Sequence, residues 1–114
     1  MAEQKILKSK SEWKALWTNS NPSSSFSNQT VSLDLSRVDE VKVVFRANTG
    51  SSYYYTSFPE PDMQMLFSIT IYASGIIERH RVYQQTSTGI TFESAYEGAT
   101  VNNNLLIPYK IYAR

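Results

Sequence analysis

The sequence has no cysteine, which rules out both a disulfide framework and a thiolate metal site. Its four glycines lie too far apart to build a phosphate-cradling loop. Its single histidine, His80, sits between Arg79 and Arg81 in a strand-like run with no nucleophile signature nearby. A catalytic histidine needs an oriented nucleophile beside it, so His80 reads as a surface strand residue. Charge is sparse and balanced: eleven Lys and Arg against ten Asp and Glu give a net charge of +1 over 114 residues. The densest basic feature is the pair of lysines flanking Ser9, far short of the field that nucleic-acid binding requires. There is no run of about 18 apolar residues and no N-terminal apolar h-region, so neither a membrane span nor a secretion signal is expected. Synthesis inside the cell without export follows as the expectation.

What is present points one way. Ser, Thr, Asn and Gln are abundant, and eight tyrosines accompany them. Hydroxyls, amides and β-favouring rings suit a sheet with a neutral, hydrogen-bonding outer face. A chain of this length can bury roughly two-thirds of its unfolded surface, enough for one self-sufficient core. Residues 1–10 are polar apart from Ile6 and Leu7 and read as an N-terminal arm, leaving residues 11–114 as a single domain.

Along that domain, period-two alternation recurs while helical periodicity is nowhere sustained. Trp13, Leu16 and Trp17 fit helical spacing, but Trp13, Ala15 and Trp17 also alternate, and the Asn/Pro/Ser run that follows favours a strand from about Leu16. NSNPSSSFSN is a loop by composition, with Phe26 as its apolar anchor. Val31, Leu33 and Leu35 share a face, as do Val41, Val43 and Phe45, with Lys42 and Arg46 turned outward. ANTGSS turns the chain into YYYTSF, and Pro59 and Pro61 break the pattern. Met65, Phe67, Ile69 and Ile71 form the strongest alternation; Ala73-Ser74-Gly75 and the segment from Thr86 to Gly89 supply the next two turns. The last stretch, LLIPYKIYA, alternates Leu105, Ile107, Tyr109 and Ile111, with Pro108 expected at an edge or where its missing N–H is not needed. Seven to eight short strands with turns about every 8–12 residues predict an antiparallel β-sandwich of jelly-roll-like character.

Candidate chemistry is thin. The carboxylates of Asp34, Asp39, Glu40, Glu60, Asp62, Glu78, Glu93 and Glu97 are scattered, whereas a glycosidase needs a facing pair. Thr91, Glu93, Ala95 and Glu97 alternate together as one solvated strand face. Asn48, Thr49 and Asn102–Asn104 offer oxygens but too little charge for a calcium site. Asn28-Gln29-Thr30 matches a glycosylation acceptor, which reads as chance without export. No cofactor, no metal and no catalysis are expected. The aromatics are the main candidates for contact: Trp13, Trp17, Tyr53, Tyr54, Tyr55 and Tyr72 could form a platform for a sugar or a protein interface. Their alternative role is sheet packing, which tyrosine performs well.

Three segments carry a resemblance: LWTNSNPSSSFSNQTVSLDLS (16–36), VKVVFRA (41–47) and GITFESAYEGATVNNNLLIPYKIYAR (89–114). In this order they resemble small virion proteins and fibre-end modules of tailed bacteriophages and prophages of Gram-positive and gut bacteria. Ala113 stands where that pattern has glycine. The resemblance implies a structural protein of the tail, the receptor-binding fibre or the head surface, located in the virion and without catalytic residues. Its implied partners are other virion proteins, further copies of itself (a trimer in a fibre) and a host cell-surface glycan. Nucleic acid and membrane insertion are not implied. The other reading of the same aromatics is a lectin-like carbohydrate-binding module.

Overall fold

The computed structural model describes residues 12–114, and the expected arm at residues 1–10 lies outside them. Nine strands follow in chain order: β1 (Lys14–Thr18), β2 (Gln29–Ser32), β3 (Val41–Asn48), β4 (Tyr54–Ser57), β5 (Gln64–Tyr72), β6 (Ile76–Thr86), β7 (Gly89–Glu97), β8 (Thr100–Val101) and β9 (Leu105–Ala113). No helix occurs among the described residues. Two antiparallel sheets result: sheet A in the order β1-β9-β3-β4, and sheet B in the order β2-β7-β6-β5 with the two-residue β8 added beside β7. The β-sandwich expected from the alternation is therefore the fold, with β8 as the one strand beyond the expected seven to eight. The first three strands cross between the sheets, whereas β3–β4, β5–β6 and β6–β7 are hairpins within a sheet.

The core is built from the inward positions of both sheets. Val41, Val43 and Phe45 of β3 are buried, and Ile111 of β9 lies beside Val43. Phe45 stacks on Phe67 at 4.7 Å between centroids and meets Phe92 edge-on, tying β3 to β5 and β7. Phe26, the loop anchor, is buried with its ring edge-on to Phe92 at 5.6 Å. Rings fill such an inter-sheet space with large apolar area and defined offset geometry.

Three positions depart from simple alternation. Pro108 lies in β9, a central strand, and not at an edge. A bulge accommodates it: Val44 opposes Lys110 while Phe45 opposes Pro108, leaving Tyr109 as the extra residue. Tyr109 consequently leaves the inward row and packs against Tyr54 at 5.0 Å. A second bulge lies where Arg81 opposes Ala95 but Tyr83 opposes Phe92. It shifts the phase of β7, so Thr91, Glu93, Ala95 and Glu97 do not share one solvated face. Glu93 is exposed, Ala95 is buried, and Glu97 pairs with Arg79 at 2.9 Å.

The third departure is Arg81, whose whole side chain is buried between the sheets. Its guanidinium donates to three backbone carbonyls: Nε to Leu106 at 2.9 Å, Nη1 to Glu93 at 2.7 Å and Nη2 to Leu105 at 3.0 Å. Leu106 has a positive φ of 46°, a conformation rare for a branched side chain. Arg81 Cζ also sits 5.5 Å from the centre of the Phe26 ring. Burial lowers the guanidinium pKa to about 10, so it stays protonated at neutral pH and works as a charged cross-tie between β6, β7 and β9.

Where β2 meets β7, Gly89 permits a very close approach. A Cβ there would stand 2.2 Å from the Val31 carbonyl oxygen, and the φ of 151° independently favours glycine.

Candidate functional site

The six aromatic candidates do not converge on one platform. Trp13 packs against Phe58 at 6.2 Å, with Lys42 Nζ at 4.6 Å and Arg114 Cζ at 4.3 Å from its ring centre. It is enclosed by cations and an aromatic ring. Trp17 turns toward the core and meets Phe26 edge-on at 6.2 Å. Tyr54 lies on the outer face of sheet A against Tyr109, while Tyr55 faces the rim of the core and touches Phe67 at 5.9 Å. Tyr53 is 73% exposed. Tyr72 is 78% exposed beside the turn of the β5–β6 hairpin. Tyr72 lies five positions beyond Phe67, roughly 17 Å along the strand, so Tyr72 and Tyr55 belong to different surfaces.

Two arrangements around these residues have functional geometry. The first is the free edge of β5. Residues 64–72, QMLFSITIY, pair with β6 in nine consecutive steps without a bulge. Their opposite edge is the end of sheet B. The strand contains no charge, proline or glycine. Each of the other sheet ends is shorter: β1 has five residues and a bulge between Ala15 and Trp17, and β2 and β4 have four residues each. Leu66, at 63% exposed, and Ile76, at 74%, add apolar surface to the same hairpin. Long, flat, uncharged edges invite pairing with another chain.

The second is a depression of about 430 Å³ between the end of β1 and the loop that leads to β2. Trp17 and Phe26 provide its aromatic wall; Asn21, Ser24, Ser25 and Gln29 contribute polar atoms, and no ionisable side chain lines it. The loop is tied at both ends. Asn19 N–H donates to the Tyr109 carbonyl at 2.8 Å and its Nδ2 to Pro108 O at 2.9 Å, while Phe26 N–H donates to Asn103 O at 2.9 Å. Arg46 Nη1 donates to Pro22 O and Ser23 Oγ, both at 3.1 Å. The loop and Phe26 were legible in the sequence, but the hollow was not, because its wall comes from Trp17 on a different element.

The group around the single histidine is wired differently from a Ser-His-Asp triad. Ser68 Oγ donates to Glu78 Oε2 at 3.0 Å, and Glu78 meets His80 Nδ1 at 2.9 Å. The serine thus contacts the carboxylate, whereas in a Ser-His-Asp triad it contacts the imidazole. The hydrogen bond from His80 holds the Glu78 carboxyl below the ordinary carboxylate range, and His80 stacks on Tyr96 at 5.1 Å. Asp39, Glu40 and Glu60 do line a common hollow. Its volume is about 160 Å³, and Glu40 is held by Arg114 Nε at 2.8 Å. Ligand clefts usually exceed that size, at roughly 300–1,000 Å³. Three of the asparagine oxygens considered for calcium accept backbone hydrogen bonds: Asn48 Oδ1 from Gly50 N and Asn102 Oδ1 from Asn104 N within turns, and Asn103 Oδ1 from Ala95 N of β7.

Comparisons with protein-family models, with curated proteins and with solved structures found no match for this chain.

Proposed function

We propose that the chain is a bacteriophage virion structural module of the tail, receptor-binding fibre or head surface, acting by assembly and adhesion without catalysis. The observation that supports assembly is the bare β5 edge, nine residues long and free of charge, with Leu66, Tyr72 and Ile76 exposed beside it. A protein that works alone ordinarily blunts such an edge with lysine, proline or a bulge. The other sheet ends are short or bulged. The side of the sandwich bearing β4 and β5 is therefore the mating side, where copies of this chain or neighbouring virion proteins extend the sheet and cover the hairpin. The phage context comes from the three resembling segments, and the neutral hydroxyl and amide surface suits an extracellular particle.

The test is the solution mass of the purified chain by light scattering over a dilution series. The expected result is a trimer or another closed multiple, dissociating only on strong dilution. A monomer at every concentration would overturn self-assembly through this side. The second reading, a lectin-like carbohydrate-binding module that acts as a monomer, is favoured by one observation: the uncharged, aromatic-walled depression at Trp17.

A further inference from the structure

We infer that the depression between Trp17 and residues 19–29 is a binding site for a neutral saccharide. The inference rests on the adhesive half of the proposed function and gives it a location and a ligand class.

Four features of the hollow lead to that ligand. Its volume, about 430 Å³, falls within the range of small-molecule sites, roughly 300–1,000 Å³. The absence of any ionisable side chain from its lining removes the usual means of holding a phosphate, a carboxylate or a cation. Its polar groups are of the kind that match vicinal hydroxyls. The side chains of Asn21, Ser24 and Ser25 have no hydrogen-bond partner among the described residues, and all three are exposed. Gln29 donates Nε2 to Ser27 O and leaves its Oε1 as an acceptor. Carboxamides and hydroxyls offer donors and acceptors together, as a sugar hydroxyl does. Finally, half-buried Trp17 lines the hollow with its orientation fixed by perpendicular contact with Phe26, and its ring supplies apolar surface against which the C–H groups of a pyranose can pack.

The loop is also organised before any ligand arrives. Asn21 N–H donates to Asn19 Oδ1 at 2.9 Å and Ser24 N–H to Asn21 O at 3.2 Å, inside the ties from Asn19, Phe26 and Arg46. A loop already held in place loses little conformational freedom on binding, which lets a small polar contact set retain affinity. Paratopes built on Ser, Asn and rigid aromatics use the same combination.

The experiment is a titration of the ¹⁵N-labelled full chain with glucose, galactose, N-acetylglucosamine and their neutral oligomers, followed by amide and indole chemical shifts. The expected result is saturable binding of at least one neutral sugar, with shifts confined to the Trp17 indole N–H, the Asn21 and Gln29 side-chain amides and backbone 19–29. Ser24→Arg and Ser25→Arg place bulk and charge at exposed positions, and each should weaken binding by about tenfold or more with an unchanged melting temperature. Trp17→Phe keeps the core contact with a smaller ring and should weaken binding by less. The inference is overturned if none of these sugars perturbs the segment at millimolar concentration, if the shifts map to Tyr53, Tyr54 or Tyr72 instead, or if both arginine variants bind as the parent does. Light scattering on the same samples separates the two readings. A monomer that binds sugar here overturns self-assembly and leaves this site standing, and an oligomer blind to sugars does the reverse.

Discussion

Along the side of the sandwich where β1 leads to β2, the chain crosses between sheets through a loop pinned by Asn19, Phe26 and Arg46. The crossing is filled by Trp17, Phe26 and Phe92 in edge-on contact. Along the side where β4 leads to β5, one ring stack, Phe45 on Phe67, closes the core, and Tyr55 covers it only partly. Beyond Phe67, Ile69 and Ile71 are half-buried and the β5 backbone edge is open. The difference is one of satisfaction. On the first side the backbone groups of the loop meet carbonyls and side chains of the same chain; on the second a row of donors and acceptors is left for water or a partner. The first side suits a fixed recognition surface, and the second an assembly surface.

The largest expected effect concerns the tie that makes the first comparison possible. Arg81→Met would leave the carbonyls of Glu93, Leu105 and Leu106 without their donor, and should cost about 3–5 kcal/mol in denaturant unfolding. Arg81→Lys should recover only part of this, because an ammonium cannot reproduce the fork that reaches three carbonyls. Gly89→Ala should come next, at about 2–3 kcal/mol, since its Cβ would meet the Val31 carbonyl in a backbone conformation that alanine disfavours.

A smaller effect separates the sides by pH. Tyr83 lies under the β4 side, hydrogen-bonded to Ser57, and burial raises its hydroxyl pKa to about 12. A raised folded pKa means that its contribution is whole below the unfolded value near 10 and is lost as the pH climbs through about 12. The parent should therefore lose about 2 kcal/mol more than Tyr83→Phe between those values, measured by denaturation at a series of alkaline pH. Comparing the two chains cancels the opposite contribution of Arg81, which both retain. The smallest effect on stability is expected from Thr70→Lys, an exposed substitution on β5. It should change unfolding by less than about 0.5 kcal/mol and yet reduce association, because a lysine blunts an edge without disturbing the core.

The strands were legible wherever apolar residues recur at every second position, whether that row is fully buried, as in β3, or half-buried, as in β5. The rows Val41, Val43, Phe45 and Met65, Phe67, Ile69, Ile71 needed nothing beyond period two, and Phe26 was evident as the only large apolar residue in a polar loop. Tyr109 and Ala95 were misplaced because a bulge inserts one residue, inverting the facing beyond it while leaving composition unchanged. The burial of Arg81 was not legible, because nothing local signals that three carbonyls from β7 and β9 will surround it. The depression at Trp17 depends on a strand and a loop meeting in space, so its residue types were visible but their convergence was not. The exposure of Tyr53 and Tyr72 was accessible to strand logic, since consecutive tyrosines and a hairpin tip cannot all be buried.

The measurement that bears most directly on the mating side is amide hydrogen exchange over residues 64–72 at low and high protein concentration. If copies pair through β5, protection of this segment should rise with concentration, while residues 19–29 exchange at the same rate throughout. Exchange over 64–72 that is fast and independent of concentration would contradict the account, leaving β5 as an edge that meets only water.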